Sequence, residues 1–215
     1  MSVSIIQYPN DFVTSRDIYD LIRRSYATRV AEGIRFVFNN YDYDSFCSHF
    51  NYSDNIVLIA FDTLNQRLVG TLSMRFTEKG KGGEIFWLAV SPDSRGKGVS
   101  QQLFSAIINL ARNKGLLFLQ SDTATKAKSS IRAHKKAGFK ITGLYSFRST
   151  DYYSYIFTCP LTNDSKYLSP LYCQFSFIKS FLKTRLTRTA QGRDRLIFRF
   201  YRFIIQKAHS VTNKP

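Results

Sequence analysis

Between Val90 and Val99 the chain reads Ser-Pro-Asp-Ser-Arg-Gly-Lys-Gly, and here residue type and spacing first suggest chemistry. An apolar strand-like run ends at Val90, and from Val99 apolar residues recur every three or four positions. Arg95-Gly96-Lys97-Gly98-Val99-Ser100 therefore joins a strand to a helix N-terminus. N–H groups in a first helical turn have no partner within the helix, and the helix dipole places partial positive charge there, so such a junction binds anions. Gly96 and Gly98 let the backbone approach an oxygen closely, and Arg95 and Lys97 add charge. Taken alone, the same residues equally describe a glycine-softened turn with two solvated cations. Other chemistries are poorly served. Gly80-Lys81-Gly82-Gly83 has no Lys-Ser or Lys-Thr at the spacing of a phosphate loop, and His49, His134 and His209 lack metal-ligand spacing, so no metal is expected. Cys47, Cys159 and Cys173 are odd in number and form no C-x-x-C pair, which fits a reducing, cytoplasmic setting better than a disulfide framework.

The elements that must position this loop are legible around it. Thr14-Ser15-Arg16-Asp17 has the form of a capping box, and Ile18, Leu21, Ile22 and Val30 follow at helical spacing up to Gly33. A weaker helix is expected over Tyr43–Phe50. Strands follow at Ile56–Phe61, Leu68–Phe76 and Glu84–Val90, the last two joined by a tight turn at residues 80–83, where consecutive glycines tolerate positive φ. After the loop come a helix from Val99 that Lys114-Gly115 ends, a strand Leu116–Gln120, a helix from about Lys126 to Ala137, and strands near Phe139–Phe147 and Tyr152–Thr158. Helices before, between and after a mostly antiparallel sheet make the fold α+β.

The chain has 215 residues, 44% of them hydrophobic, enough for one domain and an appendage. Its formal net charge is +16, which predicts attraction to polyanions. That charge is unevenly spread: the 55 residues after Pro160 hold 11 Lys and Arg against Asp164 and Asp194 alone. The expected division is a domain over 1–160, a linker over 161–170 and a basic helical tail over 171–215. No run of about 18 uncharged apolar residues suggests a spanning helix, and the start lacks the pattern of a secretory signal.

Residues 84–139 resemble the GCN5-related N-acetyltransferase (GNAT) family. Its Q/R-x-x-G-x-G/A motif is met by Arg95-x-x-Gly98-x-Ser100 after Leu88-Ala89-Val90, with Ser in place of the usual Gly or Ala, and its helix ending K-x-G-F by Lys136-Ala137-Gly138-Phe139. The resemblance implies a mixed, mostly antiparallel sheet in which two strands, Glu84–Val90 and Leu116–Gln120, splay to hold the pantetheine of acetyl-CoA. Backbone groups of Leu88, Ala89 and Val90 would face the pantetheine, and those of Arg95, Gly96, Lys97, Gly98, Val99 and Ser100 the pyrophosphate. Transfer to an amine needs a base, because only the neutral amine attacks, and an acid for the departing thiolate. Glu84 is the expected base, since some family members carry a Glu here. Strand alternation puts it on the face of Phe86, Leu88 and Val90, where apolar surroundings would raise its pKa. His134 takes the place where many relatives have a proton-donating Tyr, and Ala127 that of an Asn that touches the cofactor.

The tail has no counterpart in the family. Over 193–209, Arg195, Arg199, Arg202 and Gln206 share a narrow helical face opposite Leu196, Ile197, Phe200, Tyr201, Phe203, Ile204 and Ile205; Phe177–Lys183 is a shorter version. Such a helix can lie on an anionic membrane surface, fill a groove on a partner, or cover its own domain. Nucleic acid is not expected, since no recognisable binding module accompanies the cations. The expectation is an acetyl-CoA-dependent acyltransferase acting on an amine, an amino sugar or another substrate near the inner face of a membrane. Two rivals are a non-catalytic acyl-CoA-binding module recruited by its tail, and an adaptor that keeps only the fold.

Overall fold

The computed structural model describes residues 2–30, 33–34, 41–50, 55–77, 80–146, 152–162 and 170–187. In chain order the elements are β1 (Val3–Tyr8), α1 (Ser15–Val30), α2 (Tyr43–Phe50), β2 (Asn55–Asp62), β3 (Arg67–Phe76), β4 (Gly82–Val90), α3 (Val99–Asn113), β5 (Phe118–Ala124), α4 (Lys128–Lys136), β6 (Lys140–Tyr145), β7 (Ser154–Pro160) and α5 (Pro170–Thr187). One seven-stranded sheet runs β1-β2-β3-β4-β5-β7-β6. Its pairs are antiparallel except β4 with β5, which is the α+β arrangement expected. Strand β1, absent from the expected strands, pairs along its whole length with β2.

Two apolar clusters sandwich the sheet. On one face Leu103, Phe104 and Ile107 of α3 pack on Leu72, Met74 and Ile85; on the other Ile18 and Ile22 of α1 and Phe46 and Phe50 of α2 pack on Val57, Ile59 and Ala89. The capping box opens α1 as expected. Thr14 donates its hydroxyl to Asp17 Oδ2 at 2.6 Å and its N–H to the same oxygen at 2.9 Å, and the Asp17 N–H returns to Thr14 Oγ1 at 3.2 Å.

The glycines before β4 do a different job from the one expected of them. Gly80 has φ +62°, as a tight turn requires, but Gly82 and Gly83 belong to β4 and have no positive φ. They are needed for closeness instead. A Cβ on Gly82 would lie 2.5 Å from the Phe118 ring, and one on Gly83 2.5 Å from Met74 Sδ and 2.8 Å from Leu119 Cδ2. That closeness lets β5 lie against β4 at Gly82↔Phe118 and Gly83↔Leu119, where their parallel pairing begins.

Helix α5 seals the other end of the sheet. β6 is an edge strand, and its Leu144 N–H donates to Ser180 Oγ at 3.0 Å while its carbonyl accepts from Ser180 Oγ at 2.6 Å and Thr184 Oγ1 at 2.8 Å. Side-chain hydroxyls thus satisfy backbone groups that would otherwise invite another strand. Phe177 meets Tyr155 at a 6.3 Å centroid distance, and Cys173 of the same helix is buried. Most of the expected linker, 161–170, and the whole amphipathic stretch 193–209 lie outside the described residues.

Because Gly83 sits against fully buried Met74 and Leu119, Gly83→Val is expected to cost about 1–3 kcal/mol through overpacking, a fall of roughly 3–10 °C in thermal midpoint. Gly80→Ala has open space around the added Cβ and should cost only about 1 kcal/mol through its positive φ. Thermal melts that rank the two the other way would show that turn conformation, not strand proximity, dominates this segment.

Candidate functional site

The parallel ladder between β4 and β5 lasts four residue pairs, ending at Ile85↔Ser121. At that point β3 and β4 change register: Met74 faces Ile85, but Ser73 faces Trp87, leaving Phe86 as an extra residue on β4. A bulge increases local twist and bends the bulged strand, so β4 turns away from β5 and a cleft of about 530 Å³ opens between them. The cleft is lined by the far halves of both strands, the start of α3, and residues of α1 and α4.

One side of the cleft is built for an anion. Gly98 is the N-cap of α3, with φ +83°, and Gly96 has φ +77°; open space surrounds the position of a Cβ at both. Among the described residues no carbonyl accepts from the backbone N–H groups of Gly96, Lys97, Gly98, Val99 or Ser100. Gly96, Gly98, Val99 and Ser100 line the cleft, whereas Lys97 is exposed outside the lining. Ser94 also lines it, its buried hydroxyl without a hydrogen-bond partner. The Arg95 guanidinium is turned to α1, donating to the Ser25 carbonyl and Thr28 Oγ1, each at 2.8 Å, and the Arg95 N–H donates to the Pro92 carbonyl. It ties α1 to the loop.

The backbone of β4 presents a second set of groups. Ser91 donates its N–H to Val69 across the ladder, so by alternation Ala89 also turns its backbone toward β3, while Leu88 and Val90 turn theirs toward the split. The Val90 carbonyl accepts from Ser25 Oγ at 3.0 Å and the Leu88 carbonyl from Tyr26 at 3.4 Å. The Ala89 side chain is buried in the α1–α2 cluster.

The bulge overturns the expected face of Glu84. Ile85, Leu88 and Val90 pack toward α3, and Trp87 and Ala89 toward α1 and α2, so the extra residue Phe86 reverses the alternation and leaves Glu84 on the side opposite Leu88 and Val90. Its setting is polar. Glu84 Oε2 meets Arg75 Nη2 at 2.8 Å and Nε at 2.9 Å across the β3–β4 pair; the carboxylate is 45% exposed and outside the cleft lining.

His134 lines the cleft, although its ring is buried, 2% exposed. Its Nδ1 lies 2.8 Å from the Ser130 carbonyl, which can only accept, so Nδ1 carries the proton and Nε2 accepts from the Ser121 hydroxyl at 3.0 Å. The ring stacks on Phe157 and meets Phe104 and Phe139 edge-on. Burial depresses its pKa, the Ser130 carbonyl pulling the other way, so the imidazole is held neutral.

Among the described residues the carboxylate that faces the cleft is Asp122, one residue beyond the last β4–β5 pair and beyond the expected end of the strand at Gln120. Ser121 points to His134 on the α4 side; alternation therefore sends Asp122 to the α1 side, with Tyr26. Asp122 is exposed on the cleft side, while protein surrounds its carboxyl on the others. Its pKa is raised by that desolvation and by the charge of Glu84, with the Ser154 hydroxyl opposing from nearby although it makes no hydrogen bond of good geometry. Desolvation, reinforced by Asp122, raises the pKa of the Tyr26 phenol above its ordinary value, keeping it protonated. The signal available in the sequence was a lone acid continuing an apolar strand into Thr123 and Ala124.

A model of the acetyltransferase (GNAT) family matches residues 16–139. Over 63 residues the chain is 32% identical to the Mus musculus protein named probable N-acetyltransferase family 8 member 5, a stretch that is 29% of this chain and 28% of that relative. Among solved structures, the PaiA N-acetyltransferase of Thermoplasma acidophilum in complex with coenzyme A is similar with a TM-score of 0.57 and 19% identity, over 74% of this chain and 99% of that one. The ribosomal-protein-S18-alanine N-acetyltransferase of Escherichia coli gives 0.59 and 14%, over 77% and 99%. At these identities the structures speak for the fold. The family match spans more than half of the chain and runs from α1 through the loop before α3 to the end of α4, and with the split sheet it establishes that the chain belongs to the GNAT family of acetyltransferases.

Proposed function

We propose that the protein transfers an acetyl group from acetyl-CoA to a primary amine, with Asp122 as the base. The observation that carries this reading is the Asp122 carboxyl standing at a gap in the sheet, in the same cleft as a helix terminus with open N–H groups. The residues present suit the cofactor. The free N–H groups from Gly96 to Ser100 and the orphan Ser94 hydroxyl would hold its pyrophosphate, and the backbone of Leu88 and Val90 its pantetheine amides. When bound, acetyl-CoA supplies the acyl group as a thioester. An ammonium acceptor entering from the α1 side meets Asp122, which takes its proton; a raised pKa narrows the gap to that of the amine. Tyr26, Trp87 and Tyr152 line the same cleft, and aromatic faces beside a carboxylate suit an amino sugar as the first acceptor to try. His134 acts through Ser121. By accepting its O–H it fixes that hydroxyl with lone pairs left for the cleft, which makes His134 a positioning residue.

Asp122→Asn is expected to lower kcat by about 10²–10⁴-fold with acetyl-CoA affinity unchanged. The base works only as a carboxylate, so its raised pKa moves the loss of rate at low pH upward from the ordinary carboxylate range. Glu84→Gln removes one charge that raises it, and should move that limb of the kcat/KM profile to lower pH. If Asp122→Asn keeps wild-type turnover while Glu84→Gln abolishes it, the assignment of the base reverses.

Gly98→Asp and Gly98→Asn separate charge from backbone conformation, since Asn tolerates positive φ and differs from Asp mainly in charge. In calorimetric titration Asp should weaken acetyl-CoA binding about tenfold or more beyond Asn, through repulsion at the helix terminus. Equal affinities for Gly98→Asp, Gly98→Asn and wild type would place the phosphates elsewhere.

A further inference from the structure

Ten large apolar side chains stand exposed among the described residues, and five of them, Phe175, Ile178, Phe181, Leu182 and Leu186, are on α5. At 3.6 residues per turn Phe175, Ile178, Leu182 and Leu186 form one stripe. It lies diametrically opposite Phe177, Ser180 and Thr184, which dock the helix on β6 and β7. Phe175 is 77% exposed and Leu186 69%, values unsuited to a finished surface. Lys179 and Lys183 run along one margin of the stripe. Arg185 marks the other, its guanidinium 4.9 Å from the Tyr153 ring centroid. The 29 residues between Asp164 and Asp194 hold six Lys and Arg and no acid.

We propose that the outer face of α5 is a docking surface for an anionic lipid bilayer, on which the helix lies in the interface plane with Phe175, Ile178, Leu182 and Leu186 in the acyl boundary and its cations among the headgroups. Charge chooses the occupant. A second copy of a chain of net charge +16 would bring Lys179 and Lys183 against their equivalents, whereas a negative surface gains from every one of them. The form of the face agrees: it is a convex stripe with long cationic side chains at its margin, whose stems can lie along apolar surface while their heads stay in water. No helix among the described residues is long and apolar enough to cross a membrane, so the contact is peripheral. Since α5 plugs the edge next to β7, the surface is rigidly connected to the sheet that holds Asp122.

The test uses the full chain and vesicle co-sedimentation, with phosphatidylcholine alone against phosphatidylcholine containing about one-third phosphatidylserine. Wild type should bind the anionic vesicles at low salt, release them at high salt and ignore the neutral ones. Ile178→Ser with Leu182→Ser, and separately Lys179→Glu with Lys183→Glu, should each weaken binding about tenfold or more. Thermal midpoint and acetyl-CoA affinity should stay near wild-type values, because none of these residues belongs to a buried core cluster or to the cleft lining. Both pairs binding like wild type would overturn the proposal by placing the basic surface elsewhere in the chain. Indifference to vesicles would overturn it too, and a dimer in sedimentation velocity that Leu182→Ser dissociates would then assign the stripe to a second copy. The cofactor titration is independent of the vesicle result, so loss of either leaves the other standing.

Discussion

Four residue pairs hold β4 to β5, and then the ladder stops. The cleft and the backbone groups that line it follow from that interruption. The pairing is made close by Gly82 and Gly83, which admit Phe118 and Leu119, and it is broken by the extra residue Phe86, whose bulge twists β4 away just beyond Ile85. A continuous sheet would consume the N–H and C=O groups of Leu88 and Val90 in strand pairing. Broken here, it leaves them turned toward a gap that passes from the α3 side of the sheet to the α1 side.

The two sides are chemically opposite. On the α3 side a helix terminus, glycine N–H groups and an orphan serine hydroxyl favour negative charge; on the α1 side Asp122, with Glu84 nearby, favours positive charge. On the proposed reading, a polyanionic cofactor and a cationic acceptor are drawn to different entrances of one passage. Arg95 and Arg29 hold that geometry without being spent on a ligand: the first ties α1 to the loop before α3, and the second donates to Ser129 of α4 at 2.7 Å across the cleft.

Much of this was legible in the chain. The loop and α3 stood out because helical periodicity begins just after two glycines, and the capping box at Thr14 marked α1 because its side-chain geometry is local. What escaped is non-local. The bulge sits at Phe86, a residue with no special backbone preference, so nothing in the sequence announced that alternation would reverse there, and Glu84 was assigned to the wrong face. Asp122 was passed over because Asp disfavours strands, and a run of apolar residues looks finished when one appears. Strand β1 has ordinary alternation but depends for its existence on β2, about fifty residues away. The anchoring of α5 rests on two hydroxyls, Ser180 and Thr184, that a hydropathy pattern treats as polar surface.

The strand order also sets a calendar for assembly. As the chain is synthesised, β1 excepted, β2, β3 and β4 can pair each with its predecessor, and β5 can join β4 once α3 has been made; but β5 keeps a bare edge until β7, the last strand, arrives, and β6 waits for β7 although it precedes it. Contacts that join distant parts of a chain form late, and bare edges are where misfolding and aggregation start. The half that carries the glycine loop can be complete while the half that supports Asp122 is still open, and the last act, the closure of β6 by α5, falls to residues beyond the family match. Nascent chains of this protein therefore depend on α5 for protection before they depend on it for anything else.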